Sequence, residues 1–173
     1  IVAGGLEPYG DRKALEAFAK SGVTGFAMEL MPRITRAQSM DILSSQANLA
    51  GYKAVIDAAS TYGKAFPMMM TAAGTVPAAK VFIMGVGVAG LQAIATARRL
   101  GAIVSATDVR KATEEQVKSL GAKFVYVDLA EAATAAGYAR ELTAEEKAKQ
   151  AELVAGHVKG QDIVITTALI PGR

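Results

Sequence analysis

Three glycines within residues 81–100 have the spacing of a phosphate-binding turn. Gly85, Gly87 and Gly90 form a G-x-G-x-x-G pattern between an apolar run and a helical segment. In such a turn the first glycine permits the bend, the second lets backbone approach a pyrophosphate, and the third lets helix and strand pack closely. The helix N-terminus adds N–H groups and a partial positive charge. The same pattern is compatible with a tight turn in an α/β domain that binds no ligand.

Asp108 makes the dinucleotide interpretation more specific. It ends a second apolar segment, "AIVSATD", 23 residues after Gly85. A carboxylate in this place binds the ribose hydroxyls of an adenosine. Its charge would repel the 2′-phosphate of NADP by about 1 kcal/mol in water and about 4 kcal/mol at a surface-like dielectric. The sequence therefore predicts NAD, although Arg110 and Lys111 could turn toward a phosphate. For these two residues we favour a solvated helix start.

The apolar run that contains the glycines also raises the alternative of a membrane span. Val81 to Ala97 is uncharged for 17 residues, which is the lower edge of what a hydrocarbon core of about 30 Å needs. Gln92 and the glycines interrupt the run, and no signal-peptide pattern is found. A buried strand followed by a helix is the better interpretation.

Composition indicates a soluble globular domain and excludes several classes of chemistry. Hydrophobic residues make up 51% of the 173 residues, and cysteine is absent. The chain therefore has no disulfide, thiolate metal site or cysteine nucleophile. The net charge of +3 is spread along the chain, which argues against nucleic acid as a partner. His157, the single histidine, is predicted to be solvated or to cap its helix, with no catalytic role.

The elements that must position these residues alternate between strand and helix after residue 80. Apolar segments at 81–84, 102–108, 123–128 and 162–170 predict strands, and 88–100, 111–121 and 143–158 predict helices. Capping boxes are expected at Thr113 with Gln116 and at Thr143 with Glu146. Strands that are apolar throughout are buried on both faces. The pattern predicts an α/β fold of the Rossmann type, a doubly wound parallel sheet with helices on both sides.

The first 80 residues have a different pattern. We predict a helix over 11–22 with Asp11 as its N-cap, a strand over 23–30 and a loop over 31–41. One long amphipathic helix is predicted over 44–66, followed by a loop or linker in which Met68, Met69 and Met70 pack the hinge. The apolar face of that helix is expected to comprise Leu49, Tyr52, Ile56, Ala59 and Tyr62.

Several segments together closely resemble one family, the NAD(H)-binding component of proton-translocating nicotinamide nucleotide transhydrogenases. They are "PRITRAQSMDILSSQANLAGYKAVIDAA", "AFPMMMTAAGTVPAAKVFIMGVGVAGLQAIATARRLGA", "ATDVR", "AGYAREL" and "ITTALIPG". The resemblance extends from about Phe26 to Arg173. The related alanine dehydrogenases share the fold and the glycine-rich turn, but they are not expected to carry "RITRAQSMD" or the "GYAREL" loop.

The resemblance implies a fold and a function. The family's component has two Rossmann-like domains joined by long helices, and this chain is about half its length. Residues 1–43 are then a remnant of the first domain, 44–66 a linker helix, and 67–173 a Rossmann domain incomplete at its C-terminus. The implied enzyme is a transhydrogenase of the Si-specific/Re-specific type, which passes a hydride directly from NAD(H) to NADP(H) on a partner component.

The resemblance also implies partners and a location. A membrane component couples the transfer to proton translocation, and the NAD(H)-binding component is a homodimer that does not itself enter the membrane. It is expected on the cytoplasmic face of the inner membrane, or in the mitochondrial matrix of a eukaryote.

The resemblance assigns roles to individual residues. Arg33, Gln38 and Asp41 lie beside the nicotinamide, Ser44 follows them, and Tyr138 lies on a mobile loop that closes over the cofactor. Without the resemblance, Asp41 is an N-cap on an ordinary polar loop and Tyr138 is a core or interface aromatic. The remaining expected cofactor contacts are Gly85, Gly87, Val88, Ala89, Gly90, Asp108, Val109, Arg110, Ala168 and Leu169.

Hydride transfer between two nicotinamides needs alignment and exclusion of water, and no acid or base from the protein. Two rival functions stay open. One is an oxidoreductase of the alanine dehydrogenase type with its own substrate site. The other is an NAD-sensing module without turnover.

Overall fold

A computed structural model describes residues 1–32, 34–126 and 143–168. These residues form two compact units, 1–47 and 48–168. No helix in these ranges is long and apolar enough to cross a membrane.

The described part of the larger unit contains a four-stranded sheet in which neighbouring strands are parallel. Its strands are β5 (Lys80–Met84), β6 (Ile103–Thr107), β7 (Lys123–Phe124) and β8 (Ile163–Thr166), in the order β7-β6-β5-β8. The sequence-based prediction of a parallel Rossmann-type sheet is confirmed. Because β5 lies between β6 and β8, residues that follow these two strands flank the turn that follows β5.

Helices cover both faces of this sheet. On one face, Val81 and Ile83 of β5 belong to the same buried cluster as Ala93 and Ile94 of α3 (Val88–Arg99). On the other face, the buried Phe82 contacts His157 of α5 (Ala144–Val158), with ring centroids 4.6 Å apart. Alternate strand residues point to opposite faces, so the two helices lie on opposite sides of the sheet as predicted.

The helix starts divide between a confirmed and a wrong prediction. At the start of α5, the Thr143 hydroxyl accepts from Glu146 N and the Glu146 carboxylate accepts from Thr143 N, which confirms that capping box. The box at Thr113 is wrong, because the Thr113 hydroxyl instead donates to Arg110 O at 2.8 Å. A short 3₁₀ turn (Lys111–Thr113) therefore precedes a shorter helix, α4 (Glu114–Ser119).

The long helix before the sheet, α2, spans Ile42–Tyr62, so the predicted extension to residue 66 is wrong. Gly63 follows it with a φ of 70°, a conformation that ends a helix. The predicted apolar face is also wrong for two of its members. Gly51 and Val55 are the buried residues, whereas Leu49 and Tyr52 are 58% and 48% exposed.

The segment predicted as a loop or linker contains a β-hairpin. Its strands are β3 (Met69–Thr71) and β4 (Gly74–Val76), which pair antiparallel. Met68, Met69 and Met70 are exposed, so the prediction that they pack a hinge is wrong within this unit.

The smaller unit pairs two short parallel strands, β1 (Val2–Gly4) and β2 (Gly25–Ala27). Between them lies α1 (Arg12–Lys20), and the Asp11 carboxylate accepts from Lys13 N and Ala14 N as the predicted N-cap. Two short 3₁₀ helices follow, Met28–Leu30 and Thr35–Met40. The strand predicted over 23–30 is therefore shorter, and the loop predicted over 31–41 is partly helical.

Candidate functional site

The three glycines occupy the turn from β5 into α3 and differ in their surroundings. Gly85 has a φ of 99°, and a Cβ there would lie 2.7 Å from Ala168 N. A Cβ on Gly90 would lie 1.9 Å from Gly85 O. A Cβ on Gly87 would meet no described heavy atom within 4 Å. The first and third glycines therefore serve the bend and the packing, and the second leaves open space beside the backbone.

The start of α3 presents backbone donors at this open side. Gly87 is the N-cap residue, and Val88 and Ala89 are the first two helical residues. The N–H groups of a first turn have no partner within the helix, and the helix dipole makes them attractive to an anion.

Asp108 lies directly after β6, and its carboxylate is engaged from several sides. Oδ2 accepts from Val86 N at 2.8 Å and from Arg110 Nη2 at 3.0 Å. Oδ1 accepts from Arg110 N and Arg110 Nε, both at 2.9 Å. The Asp108 side chain is 7% exposed and that of Arg110 is 24% exposed. Arg110 is therefore a partner of Asp108, and the interpretation of this residue as a solvated helix start is wrong.

The pairing keeps Asp108 ionised. Burial alone raises the pKa of Asp108, but hydrogen bonds from the Arg110 side chain and from the N–H groups of Arg110 and Val86 outweigh it and lower the pKa. The hydrogen bond to Asp108 raises the pKa of Arg110. The two residues thus form an ion pair beside the glycine-rich turn.

Arg110 also reaches the turn directly, since its Nη2 donates to Val86 O at 3.2 Å. The residue between the pair, Val109, is partly buried. Lys111 is exposed and its Nζ lies 6.0 Å from the ring centroid of Tyr126. The end of β6 and the turn after β5 are therefore tied together by Arg110 and Asp108, without Lys111.

A residue absent from the sequence-based site approaches the turn from the other neighbouring strand. Thr167 follows β8, and its hydroxyl donates to Gly85 O at 2.8 Å. The next residue, Ala168, lies against Gly85 as described above and is exposed. The sequence offered only the position of Thr167 at the carboxyl end of a strand, where open α/β sheets bind ligands.

The predicted nicotinamide residues that the structure describes lie in the smaller unit. Gln38 is exposed on the 3₁₀ helix Thr35–Met40. The Asp41 carboxylate accepts from Ser44 N at 3.0 Å and from Ser44 Oγ at 2.7 Å. This is the geometry of an N-cap on α2, and it brings Asp41 and Ser44 together. Arg33, Tyr138 and Leu169 lie outside the described residues.

His157 does not take part in this site. Its Nε2 lies 2.8 Å from Ser105 Oγ on β6, and the ring packs on Phe82. The prediction of a solvated or capping histidine is wrong, because the ring is partly buried against the sheet. Burial, followed by the charge of Lys123, lowers the pKa of His157.

These features fit a dinucleotide. Open space at Gly87 and the N–H groups at the start of α3 suit a pyrophosphate, and an ionised carboxylate at the end of β6 suits ribose hydroxyls. Because Arg110 already donates to both oxygens of Asp108, ribose hydroxyls would share the carboxylate with the guanidinium or replace its hydrogen bonds.

Comparison with known proteins agrees with the fold and the turn. Residues 54–173 match the family model "Alanine dehydrogenase/PNT, C-terminal domain", and residues 1–50 match the corresponding N-terminal domain. The first of the two pieces of the NAD(P) transhydrogenase subunit alpha of Rhodospirillum rubrum is 64% identical over 166 residues, which is 94% of this chain and 43% of that protein. Its counterpart in Rickettsia prowazekii is 60% identical over 174 residues, covering 100% of this chain and 45% of that protein.

Among solved structures, a transhydrogenase from Sinorhizobium meliloti superposes with a TM-score of 0.86 at 67% identity, over 99% of this chain and 46% of that chain. The chain thus spans less than half the length of the relatives it matches. With family models matching both halves of the sequence and a parallel Rossmann-type sheet in the larger unit, the chain belongs to the alanine dehydrogenase/PNT family.

Proposed function

We propose that this chain is the NAD(H)-binding part of an NAD(P) transhydrogenase. The observation that carries the proposal is the glycine-rich turn, whose Val86 N–H is bound by the ionised carboxylate of Asp108. The turn and the carboxylate are the two features that a Rossmann fold uses for pyrophosphate and ribose. The names and high identity of the relatives support the transhydrogenase reaction over other uses of the fold.

In this proposal the larger unit supplies most of the binding. The turn with Gly85, Gly87 and Gly90 and the first residues of α3, Val88 and Ala89, hold the pyrophosphate. Asp108, Val109 and Arg110 hold the adenosine ribose. Ala168 and Leu169 line the nicotinamide pocket.

The proposed alignment of the nicotinamide depends on Arg33, Gln38, Asp41, Ser44 and Tyr138. Asp41 and Ser44 share hydrogen bonds, so each fixes the side chain of the other. Nicotinamide supplies the hydride when bound, and the residues of the chain orient it and exclude water. NADP(H) is held by a partner component.

The remaining elements of the proposal concern assembly. A membrane component couples the transfer to proton translocation, and two copies of the NAD(H)-binding component associate. The protein is then peripheral on the cytoplasmic face of the inner membrane, or lies in the mitochondrial matrix of a eukaryote.

Dependence on a partner tests this function. The full-length protein should bind NADH and should oxidise it only when an NADP-loaded partner component is added, with no small keto acid as acceptor. Turnover of NADH with pyruvate and ammonia would instead support the alanine dehydrogenase reaction, which the shared family makes the alternative. Binding without turnover under either condition would support an NAD-sensing module.

A further inference from the structure

The peptide unit between Gly85 and Val86 is held at both ends by side chains from the two strands that flank β5. On one side, Val86 N donates to Asp108 Oδ2 at 2.8 Å, after β6. On the other side, the Thr167 hydroxyl donates to Gly85 O at 2.8 Å, after β8. The carbonyl and the N–H of one peptide plane therefore have their orientation set by side chains 59 residues apart in the chain.

This peptide needs such a restraint because of the residue that precedes it. Gly85 has a φ of 99°, and glycine populates positive and negative φ about equally. The backbone torsions of Gly85 therefore do not define the plane of its peptide by themselves. Rotation of the plane would break both hydrogen bonds and redirect the backbone that leads into α3.

The Thr167 hydroxyl is itself held in place. Thr167 N donates to Met84 O at 2.8 Å and so continues the pairing of β8 with β5. Its Oγ1 would lie 3.0 Å from a Cβ on Gly85 and 3.0 Å from a Cβ on Gly90. The hydroxyl thus fills the narrow space between the turn and the first turn of α3, and a change in it is transmitted to both.

We propose that Thr167 is a positioning residue for the dinucleotide, and this inference rests on the proposed function. Its hydroxyl and the Asp108 carboxylate together orient the Gly85–Val86 peptide, so that Gly87 and the N–H groups at the start of α3 face the pyrophosphate. Thr167 acts through the backbone of the turn. Its contribution therefore depends on the hydroxyl and applies to any ligand that contains the pyrophosphate.

The test compares Thr167→Val, which removes the hydroxyl at nearly constant volume, with Thr167→Ser, which keeps it. In the full-length protein, the dissociation constants of NADH and of ADP-ribose are measured by titration. Thr167→Val should weaken both by about three- to tenfold, the effect of one hydrogen bond, and Thr167→Ser should stay within about twofold of the unchanged protein. The KM for NADH should rise with kcat within about twofold, because the nicotinamide end is not affected.

Hydrogen exchange at Val86 gives a second readout. Without the Thr167 hydroxyl the peptide plane is released at its carbonyl, so exchange of the Val86 amide should accelerate about tenfold in Thr167→Val and not in Thr167→Ser. Thr166→Val is the matched control, since Thr166 is the exposed neighbour on β8. Should Thr167→Val fail to fold, Thr167→Ala replaces it, because alanine adds no second methyl group beside Gly90.

The outcomes separate the inference from the function on which it rests. Equal ADP-ribose affinity in Thr167→Val and the unchanged protein overturns the inference, as does an equal loss in Thr167→Val and Thr167→Ser or in the Thr166→Val control. Failure of the unchanged protein to bind NADH or ADP-ribose would instead overturn the proposed function.

Discussion

The carboxylate of Asp108 faces two demands in this fold. It accepts from Val86 N and thereby supports the turn, and it is paired with Arg110 through both oxygens. In the proposed function it also meets the adenosine ribose. Its charge and its hydrogen-bonding capacity are therefore separable properties, and substitutions of the two residues distinguish them.

Substitution of Asp108 tests cofactor choice. NADH should bind at least about tenfold more tightly than NADPH, because the carboxylate repels the 2′-phosphate by about 1–4 kcal/mol. Asp108→Asn should narrow this ratio, since the amide carries no charge. Fluorescence titration with both nucleotides measures it. Asp162→Asn is the control, because Asp162 precedes β8 at the opposite edge of the sheet and accepts from Lys80 N. Equal affinities in the unchanged protein would contradict the assignment.

Substitution of Arg110 tests the ion pair. In Arg110→Met the carboxylate loses its charged partner, so the pKa of Asp108 should rise and the free energy of unfolding should fall by about 1.5–3 kcal/mol. The unneutralised charge should also raise the preference for NADH over NADPH. Urea denaturation and nucleotide titration measure the two effects.

Lys111→Met removes the same charge from the exposed neighbour and should change stability by no more than about 0.5 kcal/mol. A stability of Arg110→Met equal to that of Lys111→Met would show that the pair with Asp108 contributes nothing measurable.

Among the elements, α2 and α3 approach each other most closely at Gly51. A Cβ there would lie 2.0 Å from Ala89 O and 2.8 Å from Ala89 C, both backbone atoms. Since Ala89 belongs to the first turn of α3, the packing of α2 also limits where the glycine-rich turn can lie.

Gly51→Ala should therefore destabilise the fold, by about 1–3 kcal/mol or more, because backbone must move to admit the methyl group. NADH affinity should fall with it, since the first turn of α3 is displaced. The control is Gly156→Ala in α5, where a Cβ meets no described atom within 4 Å. That change should stabilise by about 0.5–1 kcal/mol. Thermal unfolding of both variants measures the difference, and equal melting temperatures would contradict the close approach.

The docking of α5 on the sheet depends on a titratable group. His157 contacts Ser105 and Phe82, and burial and then Lys123 lower its pKa. A folded-state pKa below the unfolded value of about 6.5 means that the unfolded chain binds the proton more readily. The stability from His157 is therefore present above about pH 6.5 and is lost as the pH falls below it.

His157→Gln keeps a hydrogen-bonding side chain and does not titrate. The free energy of unfolding of the unchanged protein should fall more steeply between about pH 7.5 and about pH 5.5 than that of His157→Gln, as urea denaturation at the two pH values would measure. Parallel losses would mean that His157 is not the group responsible.

For the whole molecule, the proposed reaction separates binding from hydride transfer. Most NADH affinity should come from the glycine-rich turn and Asp108, whereas Gln38 should act on alignment. Gln38→Asn should leave NADH affinity nearly unchanged and slow the hydride step by about 10²-fold, since a displacement of about 1 Å has that effect.

Single-turnover transfer in the full-length protein, reconstituted with its partner component, measures this. Gln46→Asn makes the same chemical change on an exposed residue of α2 and should have no effect. Transfer at the unchanged rate in Gln38→Asn would assign the residue a structural role.

Local sequence patterns were sufficient for the frame of this protein. The glycine turn between β5 and α3, the parallel sheet, the Asp11 N-cap and the capping box at Thr143 each depend on residues close together in the chain. Glycine spacing, apolar runs and capping residues report such short-range geometry directly. The same patterns placed Asp108 at the end of β6.

Only the folded chain determined which distant side chains meet. Thr167 reaches Gly85 across 82 residues, and His157 reaches Ser105 across 52, and periodicity carries no information about such pairs. In α2, apolar residues lie on more than one side, so spacing could not choose between the face with Tyr52 and the face with Val55. Packing chose the second, because Gly51 on that face admits the backbone of α3 at Ala89. Arg110 likewise met Asp108 because the chain turns at the end of β6 and brings both beside the glycine-rich turn.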